Sequence, residues 1–257
     1  MSEPATELPT RAAARRERHA VAQRPWWGGD ASVQRWREDV ISVALVGMGI
    51  GMLLNGWLGG WAGTAGLWAG LLVPVAYAFW RGVPRGLLRF HGFDIVYALS
   101  LGVLLRLAQG WLELAFGGTG QWPSYPTLDG SLPESQLWET AGVVVAAPLV
   151  EELFFRAVVL VGVFVLVRRL VERTDASGRA VVIVAGSVAL AASVALFVFV
   201  HVAFMPLPAD GVIAIALVGI VCAVLVLTTG RIWGAVLTHI VYNAAGAALA
   251  YVGTLFG

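Results

Sequence analysis

The stretch AAPLVEELFFRAVVL, residues 146–160, sets two adjacent glutamates and an arginine inside an otherwise apolar run. Extended to Trp138 on one side and Val167 on the other, the run has room for a whole membrane crossing, which takes about 20 residues through a hydrocarbon core about 30 Å thick. An ionisable group at mid-bilayer costs about 2.5 to 3.5 kcal/mol on insertion scales. Glu151, Glu152 and Arg156 must therefore be paired or used.

Helical geometry separates the two acids. Glu152 and Arg156 are four residues apart with the acid on the amino-terminal side, the favourable order for an ion pair on one face. Glu151 is five residues from Arg156 and, at about 100° per residue, points about 140° away from it. One carboxylate is left for water or another helix, and Glu151 so placed is a candidate general base. Pro148 removes a backbone hydrogen bond three residues earlier. It either kinks the helix and opens a path for water or is tolerated as prolines in membrane helices often are.

The rest of the chain has the same apolar character, with 58% hydrophobic and 13% charged residues and a mean hydropathy of +0.79. That composition predicts a polytopic membrane protein. Seven apolar segments run approximately over residues 40–58, 61–80, 95–116, 138–167, 180–204, 212–228 and 232–255. The fold class expected is an all-α membrane bundle of about seven helices, or eight if a longer segment is broken, around an internal polar cavity. Residues 1–38 are polar and arginine-rich without the layout of a secretory signal, and are expected to be a disordered tail. Residues 39–257 are the membrane-embedded unit. A net charge of +1 gives no reason to expect a nucleic-acid partner. The single cysteine, Cys222, lies in an apolar run and reads as a small buried hydrophobe. All 17 basic residues are arginine, which with the abundance of Ala, Gly and Val suggests a GC-rich bacterial genome.

Arginine placement orients the spans, since short basic loops stay cytoplasmic. The tail, the connection with Arg81, Arg85 and Arg89, the one with Arg168, Arg169, Arg173 and Arg179, and the turn at Arg231 are basic; the alternating connections carry no basic residue. Seven spans with the amino terminus inside, in the cytoplasmic membrane of a bacterium, satisfy every loop. Trp80, Trp122, Trp138 and Trp233 fall near span ends, as an interfacial aromatic belt requires.

Other polar residues within spans complete a candidate site. His239 and Asn243 are four apart and project from one face as two donors, suited to holding an oxyanion. His201 belongs to a third helix and can orient a water against Glu151 or take up its proton. Arg106 and Glu113 share a face of the third span; pairing with other helices is the preferred reading and cavity lining the second. Carboxylate, two imidazoles and a carboxamide converging in a membrane make a hydrolytic centre.

EELFFR, the stretch Phe197 to His201 and HIVYN resemble, in order and spacing, the EExxxR, FxxxH and HxxxN motifs of the CPBP family of intramembrane proteases, the CAAX-processing and bacteriocin-processing group. The resemblance covers about Trp138 to Asn243. It implies an all-helical core with a water-accessible cavity, with Glu151 as catalytic base, His201 assisting it, and His239 and Asn243 stabilising the oxyanion. Glu152, Arg156 and Phe197 occupy supporting motif positions. No cofactor is required by this chemistry; zinc is the alternative, held by Glu151, His201 and His239, although no HExxH stretch is present. The partners implied are a membrane-associated peptide substrate and the lipid bilayer. A scaffold or immunity protein keeping the same fold, and a proton-coupled transporter, are the competing function classes. One tension accompanies the expected topology: at 1.5 Å per residue His239 lies only about 12 Å from the turn at Arg231, whereas Glu151 and His201 compute nearer the opposite membrane face. They meet only if the last hairpin is deeply inserted, a helix is broken, or the boundaries or topology differ from those expected.

Overall fold

Each apolar segment of the sequence is a helix in the computed structural model, which describes residues 25–29, 31–127, 131–174 and 176–256. Helices α1 (Glu38–Leu58), α2 (Gly60–Arg81) and α3 (Phe93–Ala115) lead into α4, one helical run over 136–171. Within α4, α-helical Gln136–Ala141, Ala147–Glu152 and Val161–Val171 are joined by π-helical Gly142–Ala146 and Leu153–Leu160. Then come α5 (Gly178–Phe204), α6 (Ala209–Thr229) and α7 (Trp233–Phe256). Six of these, all but the composite α4, are individually long and apolar enough to cross a membrane. The described residues contain no strand, and the chain is a polytopic helical bundle.

Hydrophobic side chains face both inward and outward, which is the economy of a protein solvated by lipid. Leu53, Val73, Leu104 and Ile183 are exposed on the outer surface, and Trp57, Trp80, Trp111, Trp122 and Trp138 stand exposed towards helix ends as an aromatic belt requires. The interior is centred on α4, whose stretch from Phe154 to Leu160 is almost completely buried, Arg156 included. Its π turns carry i→i+5 bonds in place of i→i+4 and so alter which carbonyls the helix itself satisfies. Phe155 O, for example, accepts a hydrogen bond of 2.9 Å from Ser193 Oγ of α5.

Helices α1 and α2 form a hairpin closed by Gly59 and Gly60, both at positive φ (64° and 49°), where a side chain would be strained. The two helices touch through glycine: a Cβ on Gly70 would lie 2.5 Å from Gly47 O and 2.5 Å from Gly51 Cα. Small residues allow such close backbone approach between membrane helices.

Of the segment expected to be a disordered tail, residues 1–24 lie outside the described residues. From Pro25 onward the structure differs from that expectation. Trp26, Val33 and Trp36 are buried, and Trp26 packs edge-on against Phe164 of α4 with ring centroids 5.3 Å apart. Arg168 Nη1 donates to Trp27 O, and Arg169 donates to Trp36 O, Val33 O and Gln34 O. Two arginines at the end of α4 thus satisfy backbone carbonyls that would otherwise face the bundle unpaired.

The same contacts resolve the depth of the last hairpin. Trp26 Nε1 donates to Gly230 O (3.0 Å) and Ile232 N to Leu87 O (2.9 Å), so the α6–α7 turn sits level with Trp26 and Phe164. Helix α4 runs on from Phe164 to Val171, about two further turns. The α4–α5 hairpin overshoots the α6–α7 turn, and His239 reaches the level of Glu151 without a break in any helix.

Because Gly70 sits against backbone atoms that have no rotamer to yield, Gly70→Ala is expected to destabilise the protein by about 1 to 3 kcal/mol. Gly49→Ala, which meets nothing within 4 Å, is expected to leave stability unchanged or raise it slightly. Thermal unfolding of both variants in detergent checks this.

Candidate active site

Glu151 and Glu152 end the α-helical turn Ala147–Glu152 and adjoin the π stretch, so neighbours in sequence face different surroundings. Glu152 is fully buried. Its Oε2 lies 3.1 Å from Arg156 Nε, and its Oε1 lies 3.0 Å from His239 Nδ1. The Arg156 contact has the closeness of an ion pair but not the alignment of a hydrogen bond, and Arg156 Nη1 has no hydrogen-bond partner among the described residues. The guanidinium is supported by the faces of Phe197 (4.6 Å) and Phe155 (5.8 Å) and by Gly219 O, which accepts from Nη2 at 3.4 Å. Cation–π attraction strengthens when both partners are desolvated, as here.

Glu151 is partly exposed. Its Oε2 lies 3.9 Å from His201 Nε2 and 4.0 Å from His239 Nε2, so one carboxylate oxygen faces imidazoles from two other helices. The opposite ring nitrogens fix the tautomers. His201 Nδ1 is 2.8 Å from Phe197 O, and a carbonyl only accepts, so Nδ1 carries the hydrogen. His239 Nδ1 faces the Glu152 carboxylate and likewise donates. Both rings therefore present Nε2 to Glu151, as an acceptor when neutral and a donor when protonated.

Asn243 is attached to α4 by a contact that the proline makes available. In the first π stretch Ala147 N–H bonds to Gly142 O; the next bond of that series would run from residue 148 to Val143 O, and Pro148 has no N–H to make it. Asn243 Nδ2 donates to Val143 O instead, at 2.9 Å. The carboxamide thus sits one turn beyond His239, beside Val143 rather than against the Glu151 carboxylate.

Glu151, His201 and His239 are brought together, Glu152 and Arg156 lie directly beneath, and Phe197 packs among them, its ring 4.5 Å from that of His201 and 5.8 Å from that of His239. One feature had escaped the sequence, and another, the pairing of Arg106 with a different helix, had been expected without its partner. The Glu152–His239 contact depends on the register of two helices, which no local spacing encodes. Arg106 of α3 donates to Tyr242 O from both Nε (3.2 Å) and Nη2 (2.8 Å) and stacks on the Tyr242 ring at 4.1 Å, holding α7 next to Asn243. Its signal was an in-span arginine without an acid one turn away. Glu113, by contrast, is exposed.

As donors, one carboxylate and two imidazoles whose Nδ1 atoms are already held have the chemistry of a zinc site. The described residues nevertheless include no three His, Cys, Asp or Glu side chains grouped as metal ligands are. A recess of about 600 Å³ opens between the α1–α2 turn, the start of α4 and Phe204.

Residues 133–245 match the family model described as type II CAAX prenyl endopeptidase Rce1-like. This segment is similar to that family. It contains α4 to α6 and most of α7, with every motif residue named above, and the match supports the CPBP-type recognition made from the three motifs; α1 to α3 lie outside it. The Rce1-like family is one of CAAX-type intramembrane endopeptidases. No curated protein and no solved structure matches the chain.

Glu152→Gln leaves Arg156 charged and buried without its counter-ion, so it is expected to cost about 3 to 5 kcal/mol of stability. Glu151→Gln, at a partly exposed side chain, is expected to melt close to the wild type. Parallel thermal unfolding in detergent distinguishes the two acids; equal destabilisation would mean that they act as one unit.

Proposed function

We propose that this protein is an intramembrane endopeptidase that hydrolyses a peptide bond of a membrane-associated peptide by a water activated at Glu151. The observation that carries the reading is the single Glu151 oxygen standing 3.9 and 4.0 Å from two imidazole Nε2 atoms. These distances are too long for direct hydrogen bonds and suit a bridging water. Glu151 takes a proton from that water as its oxygen attacks the scissile carbonyl carbon. The oxyanion that forms is met by the second N–H of the Asn243 carboxamide and by His239 Nε2 in its protonated form, supported through Nδ1 by Glu152. The proton held by Glu151, relayed through His201, passes to the leaving nitrogen as the C–N bond breaks. The steps consume one water, release an acid and an amine, and return Glu151 to its carboxylate.

No step here is routed through a metal. The arginine-bearing end of the bundle, with the amino-terminal segment, is assigned to the cytoplasmic side of a bacterial membrane by the positive-inside rule.

In proteoliposomes, Glu151→Gln is expected to abolish cleavage of reporter peptides. Asn243→Ala is expected to lower turnover about 10² to 10³-fold with substrate binding nearly intact. Treatment with a chelator is expected to leave turnover unchanged, whereas a reversible loss restored by zinc would assign the water to a metal. A cellular phenotype that Glu151→Ala, His201→Ala and His239→Ala all preserve at normal expression would overturn the proteolytic reading in favour of a binding scaffold.

A further inference from the structure

The two ends of the bundle differ in access and in charge. At the arginine-bearing end, Trp26, Trp36, Leu87 and Ile232 are each at most 1% exposed, and Arg168 and Arg169 lash the amino-terminal segment across the helices. Among the described residues, that end keeps a recess of about 280 Å³ between Trp26, Arg168 and Arg169. At the opposite end lies the larger recess of about 600 Å³. Its floor includes Ala147, one helical turn before Glu151, and its walls include Val143, whose carbonyl holds Asn243, and Phe204, three residues after His201. The recess therefore borders the helices that carry Glu151 and His201, and its volume is in the range of pockets that enclose a small ligand or a short peptide segment, about 300 to 1,000 Å³.

Its lining has a definite chemistry. Trp61 and Trp68 come from α2, a part of the chain outside the Rce1-like match, and Phe204 from α5. Glu139 is the charged residue of the lining; it is exposed, and its side chain has no hydrogen-bond or ion-pair partner among the described residues. No arginine or histidine contributes to the lining. Across this whole end of the bundle, the charged residues at described helix ends and connections are Glu113, Glu134, Glu139 and Asp210, all acidic. A free carboxyl terminus would find no cation in the recess. A lysine or arginine would find aromatic faces and an unneutralised carboxylate together, two attractions that reinforce each other.

We propose that the recess receives a peptide segment from the arginine-free face and prefers a cationic side chain near the scissile bond, held by Glu139 with Trp61 and Trp68. This rests on the endopeptidase reading for its consequence but not for its test. The carboxylate is solvent-exposed, so the preference is modest and salt-sensitive.

The test uses the full chain carrying Glu151→Gln in nanodiscs, with fluorescent single-span peptides that differ only at one position flanking the membrane segment: lysine, glutamine, glutamate, or a free terminal carboxylate. Anisotropy titration at low salt is expected to show the lysine peptide binding about three- to tenfold tighter than the glutamate and free-carboxylate peptides. Glu139→Arg on the same background is expected to erase or reverse that order, and 0.5 M salt to shrink it. Trp61→Ala is expected to weaken lysine-peptide binding more than glutamine-peptide binding. Equal affinities, tighter binding of the free carboxylate, or a lysine preference that survives Glu139→Arg would each overturn the proposal. Cleavage of the glutamine peptide by wild-type protein is a separate readout. If it is cut in a Glu151-dependent way while charge makes no difference, the endopeptidase reading stands and the cationic preference falls. If lysine is preferred in binding but nothing is cut, the reverse holds.

Discussion

A fully buried carboxylate, Glu152, joins two helices of this bundle by two contacts: an ion pair to Arg156 one turn along α4 and a hydrogen bond from His239 Nδ1 of α7. Without a counter-ion, either charge in that interior would cost several kcal/mol, so the pair fixes the rotation of α4 and, through His239, the register of α7. Arg156 extends the link to α5 and α6 through the Phe197 ring and Gly219 O. Once these are in place, His239 has a single tautomer and a single direction for Nε2, which is towards Glu151. The adjacent glutamates thus divide their work by burial: the inner one organises, and the outer one is left accessible for chemistry.

The backbone of α4 takes part in the same arrangement. Pro148 leaves Val143 O without its π-helical donor, and Asn243 meets it, while Ser193 of α5 donates to Phe155 O in the second π stretch. In a membrane no water is at hand to satisfy such groups, so the irregular backbone and its side-chain partners stand or fall together. Pro148 frees the acceptor that seats Asn243.

What the sequence disclosed and what it withheld follow a physical line. The seven helices were legible because each lies on a continuous apolar run, and the Glu152–Arg156 pair because both partners lie on one helix with a fixed spacing. The separate fate of Glu151 followed from the same spacing. The meeting of His201 and His239 at one oxygen of Glu151 was suggested by motif order alone, since helix register is set by packing between distant segments. The π turns left no periodic signature in a run that is apolar all round. Trp26 and Trp36 were hidden in a polar, arginine-rich stretch, where composition outweighed the individual tryptophans. The relative depth of the α6–α7 turn could not be read because equal loop levels were assumed, whereas α4 extends past Phe164.

The central claim is that Glu152 holds His239 by Nδ1 so that Nε2 faces Glu151. Nitrogen-15 NMR of histidine-labelled protein, which has four histidines in all, reads this directly. In the wild type, the ring nitrogens of His239 and His201 are both expected to show hydrogen on Nδ1. In Glu152→Gln, or in Glu152→Ala should the first variant fold poorly, the Nδ1 signal of His239 is expected to shift strongly while that of His201 stays in place. A His239 ring carrying its hydrogen on Nε2 alone in the wild type, or one indifferent to the loss of Glu152, would contradict the account.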